Sequence, residues 1–336
     1  MTRHFLRDDD LSHDEQAALI DRAITLKANP FGHQVLAGPQ AVAVIFDMPS
    51  TRTRVSFSVG IAQLGGYPLL IDSGSSQLGR GEPIADTARV LDRQCSAIVW
   101  RTLAQSNVEE MAAASSVPVV NGLTEDFHPC QILADLVTVK EHKGELSGLT
   151  LAYVGDGANN MAHSYLLGCA VAGIHVRIGT PASRLPDADV VSRAEKLAVR
   201  NGGSVLVTQD LAAALAGADV VATDSWVSMG QEVNKATDSS SSGAASRFAG
   251  YSVDDSAMAM AADDAIVLHC LPAYRGAEIA ASVMDGPQSV VFDEAENRLH
   301  AQKALLSWLV EQAATKGSST AATKGSSTAA STAGFK

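Results

Sequence analysis

Apolar residues along this chain fall into two alternating rhythms. Short apolar runs such as VAVIF at 42–46 and AIVWR at 97–101 read as buried strands, and between them apolar positions recur every three or four residues, as on one face of a helix. The first helical stretch follows Leu11, where Ser12 is placed to cap SHDEQAALIDRAITLKA and Ala17, Leu19, Ile20, Ala23 and Ile24 share a face. Strands are then predicted at 41–46, 67–71, 97–101 and 118–122, with helices near 53–64, 84–93 and 108–115 between them. A helix opening at Pro129 stops at Gly144, and LTLAYV begins a second series with strands at 149–154, 175–178, 204–208, 220–223, 265–269 and 290–292. A last helix is predicted over 296–313.

Strands that alternate with helices imply parallel sheets covered on both faces. The fold expected is therefore α/β with two doubly wound domains, 1–143 and 144–295, and an active site in the cleft between them. Two segments break the pattern. Residues 237–250 are rich in Ser and Gly and read as a mobile loop; from 314 the sequence ATKGSSTA repeats without bulky apolar residues, so 314–336 is expected to be disordered.

Length and composition narrow the classes available. A chain of 336 residues is larger than one hydrophobic core usually supports. Its net charge of −12 disfavours nucleic acid and anionic membranes as partners, so an anionic substrate has to meet a local basic pocket. No apolar run reaches the roughly 18 residues of a membrane span, and the acidic N-terminal segment is unlike a signal or transit peptide. The four cysteines, Cys95, Cys130, Cys169 and Cys270, form no CxxC pair, which predicts neither a zinc site nor a disulfide framework and fits a reducing cytoplasm.

Candidate chemistry gathers where strands end. Ser50, Thr51, Arg52, Thr53 and Arg54 stand where a strand turns into a helix, and unpaired helix-start N–H groups with hydroxyls and a guanidinium suit a phosphate. Ser50 is expected to cap that helix as well. Arg101 closes a strand, while His128 and Gln131 share one face at a helix entrance. VGDGANNM offers Gly155 and Gly157 but Asn160 where a dinucleotide site needs its third glycine, and no acid ends the next strand, so nicotinamide binding is rejected. Asp224 follows another strand and can pair with an ammonium group. Taken in isolation, Cys270 reads more usually as a buried structural cysteine.

STRTR at 50–54, HPCQ at 128–131, DSWVSMG at 224–230 and HCLP at 269–272, in that order and spacing, resemble the ornithine carbamoyltransferase family. The resemblance runs from about residue 3 to about residue 312. It implies that Ser50, Thr51, Arg52 and Thr53 hold the phosphate of carbamoyl phosphate and that Arg101, His128 and Gln131, within the block that includes Pro129 and Cys130, reach its carbamoyl end. Cys270 and Leu271 line the same pocket, Arg298 completes it, and Gln77 enters from a neighbouring subunit. Arg52, Arg101, His128 and Cys270 are the implied catalytic set. Asn160, Asp224, Ser228 and Met229 would hold L-ornithine. The family pattern further implies a last helix packed back on the first domain, a homotrimer or a multiple of it, and no cofactor or metal. Alternatives left open are another acceptor amine, putrescine or N-acetylornithine, and a non-catalytic sensor of a phosphate ligand.

Overall fold

The computed structural model describes residues 2–226 and 247–327, with side chains of the last helix described as far as Thr315. The strands form two parallel sheets. The first has the order β2-β1-β3-β4 and is built from β1 (Ala41–Phe46), β2 (Tyr67–Asp72), β3 (Ala97–Arg101) and β4 (Val119–Leu123). The second has the order β7-β6-β5-β8-β9, from β5 (Thr150–Val154), β6 (His175–Gly179), β7 (Ser204–Thr208), β8 (Val220–Thr223) and β9 (Ile266–His269). Helices α1 (His13–Ala28), α2 (Thr51–Gln63), α3 (Ile84–Leu91), α4 (Gln105–Ala114) and α5 (Pro129–Lys143) belong to the first series. In the second series α6 (Asn160–Ala172), α7 (Ala188–Asn201) and α8 (Leu211–Leu215) are followed by the single turns α9 (Asp255–Met258) and α10 (Ala281–Met284), then α11 (Val291–Ser327).

Period-two alternation within the apolar runs is what puts helices on both faces of each sheet. In β1, Val42, Val44 and Phe46 join the core beneath α1, α2, α5 and α11, whereas Ala43 and Ile45 pack on the opposite face with Ala88, Val108 and Met111 of α3 and α4. In β5, Leu151 and Tyr153 face the same large core as β1, now against α6 and α7, and Ala152 and Val154 face α8, α9 and α10. One apolar core thus runs continuously under both sheets.

Local chemistry sets the element ends as the sequence reading expects at α1, where Ser12 and Glu15 form a reciprocal capping box. It differs at three places. Ser50 occupies the N-cap position of α2, but its hydroxyl makes no cap bond, so the first-turn N–H groups of α2 receive no side-chain cap. VVF at 290–292 is no strand: Ser289 makes a lone parallel bridge to Val267, and α11 starts at Val291, where Val290 and Val291 are buried just as a strand would bury them and Asp293 and Glu294 favour a helix first turn. Helix α11 is also longer than the predicted 296–313. Its backbone stays helical to Ser327, into the repeat that reads as disordered. Residues 328–336 and the 237–246 part of the Ser-rich segment lie outside the described residues; of its last four, Phe248 is buried and stacks on Trp226.

Helix α11 packs on α1, α2 and α5. Buried Lys303 donates to the carbonyls of Leu26 and Pro30 and to Gln63, satisfying the exposed end of α1. Arg22 pairs with Glu311, and Asn297 bonds Thr138 and Glu141. Among the described residues no helix is long and apolar enough to cross a membrane.

Candidate active site

In a doubly wound sheet, ligands bind beyond the carboxyl ends of the strands where the strand order reverses. Here the reversals fall between β1 and β3 in one sheet and between β5 and β8 in the other. The segments leaving those four strands carry Ser50 to Thr53, Thr102 and Leu103, Gly155 to Asn160, and Asp224; Arg101 is the last residue of β3. They converge with loops from β4 and β9 on a cleft of about 830 Å³ whose walls include residues from both halves of the chain and Arg298 of α11.

The first wall is cationic. Arg101 leaves β3 at a register shift: Trp100 pairs with Asn121 but Arg101 pairs with Leu123, skipping Gly122. Buried Arg101 and Arg298 both donate to the Thr53 hydroxyl, at 3.2 and 3.0 Å. Burial and the neighbouring guanidinium of Arg298, with a smaller part from Arg52, push Arg101 down to about 10, which still leaves it charged near neutrality. His128 lies at the N-cap of α5, its backbone N–H donating to the Ser164 hydroxyl. Burial and the three arginines hold its imidazole well below the usual histidine range, so the ring is neutral, and its Nδ1 has no partner among the described residues. Arg52 is exposed and crosses the cleft, donating to the Leu271 carbonyl at 2.7 Å.

The second wall centres on Asp224 and Cys270. Asp224 Oδ1 accepts from the Ser225 N–H at 2.7 Å and from the Cys270 thiol at 3.1 Å. Burial raises both: the Asp224 carboxyl moves above its ordinary value, and the Cys270 thiol, with Asp224 beside it, moves well above the thiol range. Cys270 is therefore a protonated donor and no thiolate nucleophile. Asn160 donates to the Thr124 carbonyl at 2.6 Å, tying the two walls at the start of α6. Leu271 holds a left-handed φ of 57°, a conformation that costs a bulky residue free energy; it is pinned by its own N–H on His269 Nδ1 and by Arg52 on its carbonyl.

Asp224, His269 and Cys270 bring three potential metal-ligand atoms within 4.8 Å of one another. His269 has no lone pair to give: Nδ1 accepts from the Leu271 N–H, so Nε2 carries the hydrogen donated to Glu278 at 3.1 Å.

Of the residues singled out by sequence, Ser50, Thr51, Arg52, Thr53, Arg101, His128, Asn160, Asp224, Cys270, Leu271 and Arg298 line this cleft together. Four do not. Gln131 is buried behind it, bonded to Asp135, Glu294 and Arg298. Cys130 faces the core, its thiol pushed up to about 12 by burial, and Pro129 is the first residue of α5. Gln77 is exposed outside the cleft of its own chain. Ser228 and Met229 lie outside the described residues. Sequence reasoning passed over Glu125 and Asp126, which the strand-end rule would have found after β4, and Arg184, whose guanidinium grips buried Asp156 in a two-pronged ion pair on the second wall.

Residues 3–141 match the carbamoyl-phosphate binding domain, and residues 147–309 the Asp/Orn binding domain, of the aspartate/ornithine carbamoyltransferases. The chain belongs to that family. Among its relatives, an ornithine carbamoyltransferase of Clavibacter sepedonicus is 62% identical over 313 residues, which cover 93% of this chain and 100% of the relative. The solved ornithine carbamoyltransferase of Pyrococcus furiosus superposes with a TM-score of 0.85 at 43% identity, covering 90% of this chain and 96% of that one. An anabolic ornithine carbamoyltransferase from Campylobacter jejuni gives 0.85 at 38%, covering 93% and 100%.

Proposed function

We propose that this chain transfers the carbamoyl group of carbamoyl phosphate to the side-chain amine of L-ornithine, releasing L-citrulline and phosphate, as a step of arginine biosynthesis. The observation that carries the reading is the opposition of three guanidiniums and a neutral imidazole on one wall to an Asp224–Cys270 pair on the other, in a chain of net charge −12. A clustered cation site in an acidic protein suits a dianionic substrate, and the facing carboxylate suits its amine partner.

Carbamoyl phosphate is placed with its phosphate at the start of α2, where Ser50, Thr51 and Thr53 offer N–H and hydroxyl donors and Arg52 and Arg298 balance its charge. Arg101 and neutral His128 reach the carbonyl oxygen. Ornithine lies with its ammonium and carboxylate ends between Asn160 and Asp224, and Ser228 and Met229 complete this half. The neutral side-chain amine attacks the carbonyl carbon; the C–O bond to phosphate breaks as the tetrahedral intermediate collapses, and the nitrogen, made cationic by the attack, gives up one proton to the departing phosphate. Arg101 and His128 stabilise charge on the carbonyl oxygen, and Arg52, Arg298 and the α2 N-terminus stabilise the departing phosphate. Much of the remaining acceleration is alignment of two bound reactants between the two walls.

The pH dependence follows. A lysine-like amine of pKa about 10.4 gains neutral form roughly tenfold per pH unit below that value. Asp224, raised by burial, ionises as pH rises through its folded value, which acts in the same direction. His128, held well below the ordinary histidine value, adds no ionisation near 6.5. The expected result is that kcat/KM for ornithine climbs steadily between about pH 6 and 9; a flat or falling profile contradicts the mechanism.

We place the domain division at 143/144 and the enzyme in the cytoplasm as a homotrimer or a multiple of it. Support for assembly comes from an exposed apolar strip, Val55 and Val59 on α2 with Tyr67 and Leu70 on the edge strand β2. On this reading Gln77, exposed on its own subunit, completes the carbamoyl phosphate pocket of the next.

A further inference from the structure

Two carboxylates lie behind the cleft and line none of it. Asp135 on α5 and Glu294 in the first turn of α11 are 1% and 0% exposed. The side-chain NH2 of Gln131 donates to one oxygen of each, Asp135 Oδ1 and Glu294 Oε1, both at 2.8 Å, which holds the two carboxyls side by side. The second oxygen of Asp135 accepts from the Tyr165 hydroxyl at 2.6 Å, and that of Glu294 from the His269 backbone N–H at 2.7 Å. Two carboxyls held side by side away from water disfavour each other's ionisation. Burial pushes both acids up, Asp135 to about 6 and Glu294 well above its ordinary range.

That arrangement dictates how the cleft is presented. Because the Gln131 NH2 is committed to the two acids, its carbonyl oxygen must face the other way, and there it accepts from Nη1 of Arg298. Arg298 in turn donates to Thr53. On the other side, the N–H fixed by Glu294 belongs to His269, which immediately precedes Cys270 and Leu271. A buried acid pair stabilises a fold poorly, since desolvation largely offsets its bonds and apolar groups of the same volume serve as well. Its position at the joint of α5, α11 and β9 has a geometric consequence instead.

We infer that Asp135 and Glu294 are positioning residues for the carbamoyl phosphate half of the reaction, aiming Arg298 through Gln131 and the Cys270–Leu271 turn through His269. The inference rests on the carbamoyltransferase reading above. The two acids differ in what an amide can replace. Glu294 serves two donors that can only donate, the Gln131 NH2 and the His269 N–H, and an amide has one acceptor oxygen, so Glu294→Gln must release one of them. At Asp135 one donor is a hydroxyl, which can turn and accept, so Asp135→Asn disturbs less.

The test compares full-length wild type, Glu294→Gln and Asp135→Asn by thermal melting and by KM for each substrate in citrulline formation. The expected result for Glu294→Gln is a KM for carbamoyl phosphate raised about 10- to 100-fold, as for loss of a hydrogen bond at a charged group, with KM for ornithine changed less than about twofold and the fold retained. Asp135→Asn shows the same split at smaller amplitude, and it decides the question if Glu294→Gln does not fold. An unchanged KM for carbamoyl phosphate, a parallel change in both KM values with the melting temperature, or failure of both variants to fold overturns the inference. Absence of citrulline formation by wild type would instead overturn the reading beneath it.

Discussion

Arg52→Ala is expected to lower turnover about 10²- to 10³-fold, the usual effect of removing one donor that stabilises developing charge, with the melting temperature unchanged. The separation of the two readouts comes from where Arg52 sits. It is exposed, and its bond to the Leu271 carbonyl reaches across the cleft rather than into the core. Arg101 and Arg298 are less clean targets, because each is buried and donates to Thr53, and removing Arg298 also strands Gln131. Their loss would mix a stability cost with a catalytic one. Steady-state kinetics with both substrates saturating, beside a melting curve, checks the point. Unchanged turnover and unchanged affinity for carbamoyl phosphate would remove the α2 start from the phosphate site.

The second large effect is expected at Asp224. Asp224→Ala deletes the carboxylate that faces the cleft and the acceptor of the Cys270 thiol. Losing a charge-assisted contact to an ammonium costs a factor of about 10 to 100, so kcat/KM for ornithine should fall by about that factor while KM for carbamoyl phosphate, held by the other wall, stays within about twofold. Asp224→Asn should fall between wild type and Asp224→Ala, since an amide oxygen still accepts from the thiol but carries no charge. Equal losses toward both substrates would mean that Asp224 shapes the whole cleft and does not read the amine.

The parts of this architecture that were legible in the sequence share a cause: they are set by short-range patterns. The alternation in VAVIF and TLAYV is a property of one strand, and the strand-end position of Arg52, Arg101 and Asp224 follows from locating those strands. What was not legible depends on partners far away in sequence. VVF at 290–292 satisfies a strand pattern as well as a helix start, and the fit of Glu294 against His269 and Gln131 adds to its first-turn acids in deciding for the helix. Gln131 shares a helix face with His128, which suggested that both reach substrate, yet the buried acids turn it away from the cleft toward Arg298. Ser50 has a capping residue's identity and position without the capping bond. Arg184 belongs to no motif, and its role became visible only once β5 and β6 brought it to Asp156 across 28 residues.

The central claim is the choice of acceptor. Purified full-length protein given carbamoyl phosphate should be offered L-ornithine, putrescine, N-acetylornithine and aspartate in parallel, with the carbamoylated product and released phosphate both quantified. The account predicts citrulline and phosphate in equal amounts, with ornithine preferred over every other acceptor. Preference for a different amine would keep the arginine wall and overturn the assignment of Asn160, Asp224, Ser228 and Met229, and tight binding of carbamoyl phosphate with no turnover on any acceptor would contradict the account as a whole.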